Sequence, residues 1–414
     1  MHTKIIKNIL WLLSEKGLQI GFGIAISGML ARHIGIENFG IFQYTIAMVM
    51  LFSSASFICG MEAVLPKLVN ATATEKHTIV ISAFVLRFCT ALVGYIGFFV
   101  YYLYFSNIKL DIDYQFIAMI GGVIILREPF NIVVSTLQAN TDERIAVLIR
   151  LISLTIKFAL IYVFLCNHTL NLNTAAFSWF IEALLISVLL SFLYFKTING
   201  LRFKFNLNLS ILKKLLSDGS RFWIGLICMY LFLRLDRIFL LHYASLVDLG
   251  IYSAAMQIND NILTLAPIIA ISFAPMMVYK VNDIILIRRN VIKLTFLMGG
   301  IGLLIASVGY FMSPYIILTI FGDKYIDSAS VLQIVLFISI LVFIDAGLNT
   351  FLIKYGNGIF IIKKWFLALL VSLVFNVLLT KSLKVNGVLL ANVSGYVTAI
   401  AIGIYYLIFY KRLK

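Results

Sequence analysis

Residues 329–353 read ASVLQIVLFISILVFIDAGLNTFLI, a stretch whose single ionisable side chain is Asp345. About 20 apolar residues are what one helix needs to cross a bilayer. Inside hydrocarbon a helix satisfies its own backbone groups, so such a run is read as a transmembrane helix. What remains to be explained is the acid in the middle of it.

The same character recurs on both sides. Spans fall at 9–31, 38–64, 79–105, 114–138, 144–166, 172–195, 219–243, 249–279, 291–318, 329–353, 365–382 and 386–409. Hydrophobic residues make up 62% of the chain and charged residues 12%, with mean hydropathy +1.03. A soluble domain carries about 25% charged residues. The expectation is an all-α polytopic membrane protein of about 12 transmembrane helices. The connections are short, the longest being 196–217. No soluble domain fits between spans, so any activity sits within the membrane or at its surfaces.

Lys and Arg in short loops set orientation. Alternate loops carry Lys4 and Lys7, then Lys67 and Lys76, then Lys196, Arg202, Lys204, Lys213 and Lys214. Further on the same side come Lys280, Arg288 and Arg289, then Lys354, Lys363 and Lys364, then Lys411, Arg412 and Lys414. The opposite loops are poor in cations, apart from Lys381 and Lys384. Both termini are therefore expected in the cytoplasm, in a multi-pass protein of the plasma membrane. The net charge of +15 is mostly this bias. It faces an anionic leaflet and does not point to nucleic acid. The first span follows Lys4 and Lys7 as a signal peptide would, but Glu15 and Lys16 interrupt it early, and it is expected to stay uncleaved.

The chain repeats itself. Residues 31–47, ARHIGIENFGIFQYTIA, align with 241–257, LHYASLVDLGIYSAAMQ, so that Gly40 falls on Gly250, Ile41 on Ile251 and Phe42 on Tyr252. The shift divides the chain into an N-terminal six-helix lobe (1–195), a basic cytoplasmic linker with an amphipathic helix (196–217) and a C-terminal six-helix lobe (218–414). Six is even, so the lobes are expected to be parallel repeats around a central cavity.

Ionisable residues inside spans are costly and mark functional sites by default. The cations are Arg87, Arg127, Arg150, Lys157, Arg234 and Arg237; the acids are Glu62, Glu128, Glu182, Asp236, Asp260 and Asp345. Arg150 and Lys157 are seven apart and share a helix face. Arg127 precedes Glu128 and Pro129, and a mid-span proline frees a backbone carbonyl that a polar cavity can satisfy. Arg127, Arg150 and Lys157 are the leading candidates for an anionic substrate, since guanidinium matches phosphate oxygens. Arg87, Arg234 and Arg237 are further binding candidates. Glu62, Glu182, Asp260 and Asp345 are candidates for coupling ions. For each, the competing reading is an ion pair that holds helices together.

Cys59, Cys89, Cys166 and Cys228 have no metal spacing and read as packing residues. No phosphate-binding G-x-x-x-x-G-K-[ST] loop, HExxH or GxSxG is present. No metal, cofactor or catalytic residue is expected.

Arg32-His-Ile-Gly35 followed by Phe39-Gly40 resembles the A-R-x-L-G-x-x-x-[FY]-G turn of bacterial polysaccharide flippases. Arg234-Leu-Asp236-Arg237, then Gly250-Ile-Tyr252-Ser-Ala-Ala255, resembles their seventh- and eighth-helix signature. The chain is thereby similar to the Wzx-type O-antigen flippase family, within the multidrug/oligosaccharidyl-lipid/polysaccharide exporter superfamily. The resemblance implies movement of undecaprenyl-pyrophosphate-linked oligosaccharide repeat units from the inner to the outer leaflet of the bacterial inner membrane. It implies alternating access, H+ or Na+ as coupling ion, and the membrane lipids and polysaccharide polymerase machinery as partners. The rival readings are a small-molecule drug antiporter of the same superfamily and an O-antigen polymerase.

Overall fold

The computed structural model describes residues 2–69, 71–104, 113–139, 144–197, 207–355 and 358–409; side chains are described within these except at 2–15, 61–63, 66, 73–74, 197, 221 and 358. The described chain is helical, with no strand among the described residues. In order the helices are α1 (His2–Ile34), α2 (Ile36–Ser53), α3 (Met61–Val69), α4 (Ala73–Tyr104), α5 (Tyr114–Arg127), α6 (Ile132–Ala139), α7 (Arg144–Cys166) and α8 (Leu172–Thr197). Then follow α9 (Leu209–Tyr243), α10 (Leu246–Leu263), α11 (Leu265–Ala274), α12 (Ile284–Phe321), α13 (Ser328–Tyr355), α14 (Gly358–Leu383) and α15 (Val385–Phe409).

Ten stretches among the described residues are long and apolar enough to cross a membrane. The two other spans read from sequence lie in α1 and α9, which are helical at spanning length; α9 carries Arg234, Asp236 and Arg237 within one turn. Its first turns, 209–217, run on without a break into the segment ending at Tyr243, with Lys213 and Lys214 exposed.

Several spans break where the sequence demands it. Proline lacks an amide hydrogen and its ring crowds the carbonyl four residues earlier. The Tyr114–Ala139 span accordingly stops being helical around Pro129, between α5 and α6. Pro275 opens a wide π turn, Pro275–Tyr279, after α11. A tight 3-10 segment, Ser54–Cys59, separates α2 from α3.

By its packing the chain divides into two compact units. One comprises Met1–Ile9, Ser27–Tyr44 and Leu231–Lys414; the other comprises Leu10–Ile26 and Thr45–Tyr230. The second unit is packed around Ile58, Val64, Ile79, Ala83, Ile132 and Leu137. In the first, Val291, Leu294 and Met298 of α12 pack with Phe343, Ala346 and Phe351 of α13.

The internal repeat is visible in the first unit. Helices α2 and α10 each have 18 residues, and the repeat register places Ile36 on Leu246 and Ser53 on Leu263, so both ends coincide. A Cβ on Gly40 would lie 2.8 Å from the Gly250 nitrogen, and one on Gly250 would lie 2.3 Å from the Ile36 carbonyl oxygen. The two equivalent glycines thus lie against each other, backbone to backbone.

The motif around Arg32 has a structural role in the same place. Arg32 Nε donates to the Ile320 carbonyl at 3.0 Å, and Nη2 to those of Leu318 (3.3 Å) and Thr319 (2.5 Å). These are among the last carbonyls of α12, which have no partner within the helix. Gly322, at φ 89°, ends the helix in a conformation that glycine adopts without strain. Tyr325 donates to the Ala31 carbonyl at 3.1 Å, and Phe39 packs on Phe321 and Tyr325. Arg32→Met, which keeps the length and removes the donors, is expected to cost ~1 kcal/mol. The thermal midpoint of the protein in detergent should fall by a few degrees; an unchanged midpoint would show that the cap contributes nothing.

Candidate functional site

In the second unit, α7 carries Arg150 and Lys157 two turns apart, as the spacing requires. Lys157 is buried, and its Nζ lies 2.7 Å from Glu182 Oε2 on α8. The same ammonium stands 4.4 Å above the ring of Trp179. Trp179 and Glu182 are three apart, so α8 presents both on one face. Lys157 is therefore held by an acid and an aromatic ring rather than left open. Arg150 is half-buried. Arg127, the last residue of α5, is exposed and has no hydrogen-bond or ion-pair partner among the described residues.

Arg87 on α4 is buried and does something else. Its Nε donates to the Cys59 carbonyl at 2.9 Å, its Nη2 to the same oxygen, and its Nη1 to the Glu128 carbonyl at 3.4 Å. These carbonyls belong to the two places where spans break. One guanidinium thus supplies the donors that the helices have lost there, which hydrocarbon would not. The Glu62 side chain lies outside the described residues.

In the first unit the acids and bases of α9 and α10 form one cluster. Arg234 Nη1 lies 2.9 Å from Asp260 Oδ2, and Arg237 Nη2 lies 3.0 Å from the same oxygen. Arg237 Nη1 also approaches Asp236 Oδ2 at 3.3 Å, and Tyr252 donates to that oxygen at 2.6 Å. Two cations and two carboxylates cancel in net charge. A cavity of about 30 Å³ adjoins them, lined by Asp236, Asn259, Asp260, Asn392 and Tyr396 among others. That volume accommodates a water molecule. Asn259 Oδ1 is buried there without a partner among the described residues. An anion binding here would compete with Asp260 for two guanidinium groups; a proton or metal cation would compete with the arginines for Asp260.

Asp345, the acid in the middle of α13, meets Lys364 of α14. Lys364 Nζ lies 2.5 Å from Asp345 Oδ1 and 2.6 Å from Asn349 Oδ1, while Asn349 Nδ2 donates to Asp345 Oδ2 at 2.9 Å. The Lys364 ammonium also lies 5.0 Å from the Trp365 ring centroid. Lys364 is wholly buried. Lys354, the penultimate residue of α13, donates to the carbonyls of Val278, Tyr279 and Val281 around the π turn. Sequence reasoning placed Lys354 and Lys364 among the cations of a cytoplasmic loop. Their position at span ends gave that impression. The signal that was available is Asn349, four residues after Asp345 and so on its face, which marks a polar patch that needs a cation.

A family model described as "Polysaccharide biosynthesis protein" matches residues 5–279. No curated protein matches the chain. Among solved structures, a multidrug resistance MATE family transporter of the MOP superfamily, in its inward-facing conformation, superposes with a TM-score of 0.72 at 11% identity, over 96% of this chain and 95% of that one. The lipid II flippase MurJ, in an inward closed conformation, gives 0.70 at 14% identity over 97% and 87%. The eukaryotic MATE transporter AtDTX14 gives 0.62 at 15% identity over 97% and 96%.

Proposed function

The chain belongs to the polysaccharide biosynthesis protein family, and on that premise we propose that it is a flippase for undecaprenyl-pyrophosphate-linked oligosaccharide repeat units of O-antigen type. It is a multi-pass membrane protein with the fold shared by MATE transporters and the MurJ flippase. The movement we assign is from the cytoplasmic to the periplasmic leaflet of the bacterial inner membrane, by alternating access of an N-terminal lobe (1–195) and a C-terminal lobe (218–414), coupled to H+ or Na+.

The observation that carries the reading is Arg127. It sits within the Tyr114–Ala139 span beside the Pro129 break, exposed and without a protein partner among the described residues. A cation at that depth requires an anion or water. A pyrophosphate supplies the anion, while a polyprenyl tail stays in lipid. Arg150, half-buried on α7, is a second candidate for the same anion. Lys157, Arg87, Arg234 and Arg237 already have protein partners and would bind substrate only by exchanging them. Glu182 and Asp260 are the acids placed to release a cation when a proton or Na+ arrives.

Deletion of the gene in its host tests the function. Loss of surface polysaccharide, with lipid-linked repeat units trapped at the inner leaflet, is the expected result. Surface glycan shortened to single units would indicate a polymerase, and unchanged glycan with new drug sensitivity an antiporter. Arg127→Ala should reduce export about tenfold or more at unchanged membrane level, since one charge-assisted contact to phosphate contributes ~1.5–3 kcal/mol. Normal export in that variant would remove Arg127 from the site.

A further inference from the structure

Helices α12, α13 and α15 enclose an apolar groove of about 530 Å³. Its walls come from Ile292, Phe296 and Gly300 of α12, Ile344 and Leu348 of α13, and Ile404 of α15. Phe296 and Ile404 are exposed on its rim. Beyond the groove, Leu304, Val308 and Phe311 of α12 are also exposed and apolar, so this face suits hydrocarbon and not an aqueous transport path.

Arg288 stands one turn of α12 before the first wall residue of the groove, four residues ahead of Ile292 and seven ahead of Thr295, spacings that keep it on the same side of the helix. Its Nε and Nη2 are buried with no hydrogen-bond partner among the described residues. Burying guanidinium N–H groups without acceptors is costly. Arg289 and Lys293 nearby are exposed. The Lys and Arg distribution puts this end of α12 at the cytoplasmic surface, the side on which anionic lipids interact with basic pockets between helices.

We propose that the groove binds one anionic glycerophospholipid of the surrounding membrane, with an acyl chain between α12, α13 and α15 and its phosphate on Arg288. A lone buried guanidinium matches the single charge of a phosphodiester and its two free oxygens. The occupant comes from the bilayer because the groove opens on the hydrocarbon-facing side. The inference is independent of what the protein transports.

The test is native mass spectrometry of the full-length protein released from nanodiscs of equal phosphatidylglycerol and phosphatidylethanolamine. Wild type should retain one phosphatidylglycerol, with a preference of about tenfold over phosphatidylethanolamine. Arg288→Gln should bring that preference close to unity, while Arg289→Gln leaves it intact. Gly300→Phe should abolish retention of either lipid. A Cβ at Gly300 meets nothing within 4 Å, so the added ring enters the groove without displacing backbone. Equal retention of the two lipids by wild type, an equal effect of Arg289→Gln, or undiminished binding in Gly300→Phe would overturn the proposal. So would a polyprenyl lipid retained from native membranes in place of a phospholipid.

Discussion

Replacing Asp345 by Ala is expected to destabilise the protein by ~3–5 kcal/mol, because it strands a buried ammonium. Lys364 is wholly buried and its charge is met by one carboxylate, at 2.5 Å. Asn349 bridges the pair but brings no charge. Lys364→Met should be comparably harmful, since it leaves the carboxylate. The double change, Asp345→Leu with Lys364→Met, should recover most of the loss, because apolar residues of similar volume remove both desolvation costs together. Thermal unfolding of the detergent-solubilised variants reads this directly. A double variant destabilised by the sum of the two single changes would mean that the pair carries no interaction. The double variant also separates structure from transport. Asp345 was a candidate for a coupling ion; normal export by a stable double variant would make the pair purely structural, and a folded but inactive one would keep Asp345 in the coupling.

Gly250→Ala is expected to be strongly damaging, at the upper end of the ~1–3 kcal/mol seen for overpacking. The new methyl would lie 2.3 Å from the Ile36 carbonyl oxygen and 2.6 Å from Ile36 Cγ2. A flexible side chain could yield, but a helix backbone cannot without moving α2. Gly40→Ala meets the Gly250 nitrogen at 2.8 Å and should behave alike, with the double variant costing less than the sum because both relieve the same contact. Gly300→Ala is the control. Its Cβ enters open space, and the gain in helix propensity, up to ~1 kcal/mol, should make it neutral or stabilising. Folded yield and melting in detergent would rank the three; indifference of Gly250→Ala would place α2 and α10 further apart than they are here.

These glycines show how much was legible before any coordinates. The alignment of Gly40 with Gly250 came from a short and weak repeat, yet it placed two helices of equal length in register. Nothing in it said that the two glycines would lie against each other. The Arg32 turn was likewise readable as a motif, whereas its function as a cap on α12 required knowing that residues nearly three hundred positions apart meet. Pro129 announced a break in its span. It did not announce that Arg87, one helix earlier, would satisfy the freed carbonyl of Glu128. The trio Arg127, Arg150 and Lys157 was read as a set, and the structure gives its members different surroundings: Lys157 bound to Glu182 and Trp179, Arg150 half-buried, Arg127 open.

Sequence by itself determined where the helices run, because a chain in hydrocarbon must bond its own backbone and therefore writes each span as a continuous apolar run. It also marked many of the charges that lie inside, though not Lys364, which is wholly buried. What only the tertiary structure decided is which of those charges are already neutralised. Helix rotation and depth are fixed by packing between side chains far apart in sequence. A lysine near a span end, such as Lys364, looks the same in sequence whether it reaches out to water or turns in to Asp345. The strength of a buried charge pair depends on ångströms that composition and spacing do not carry.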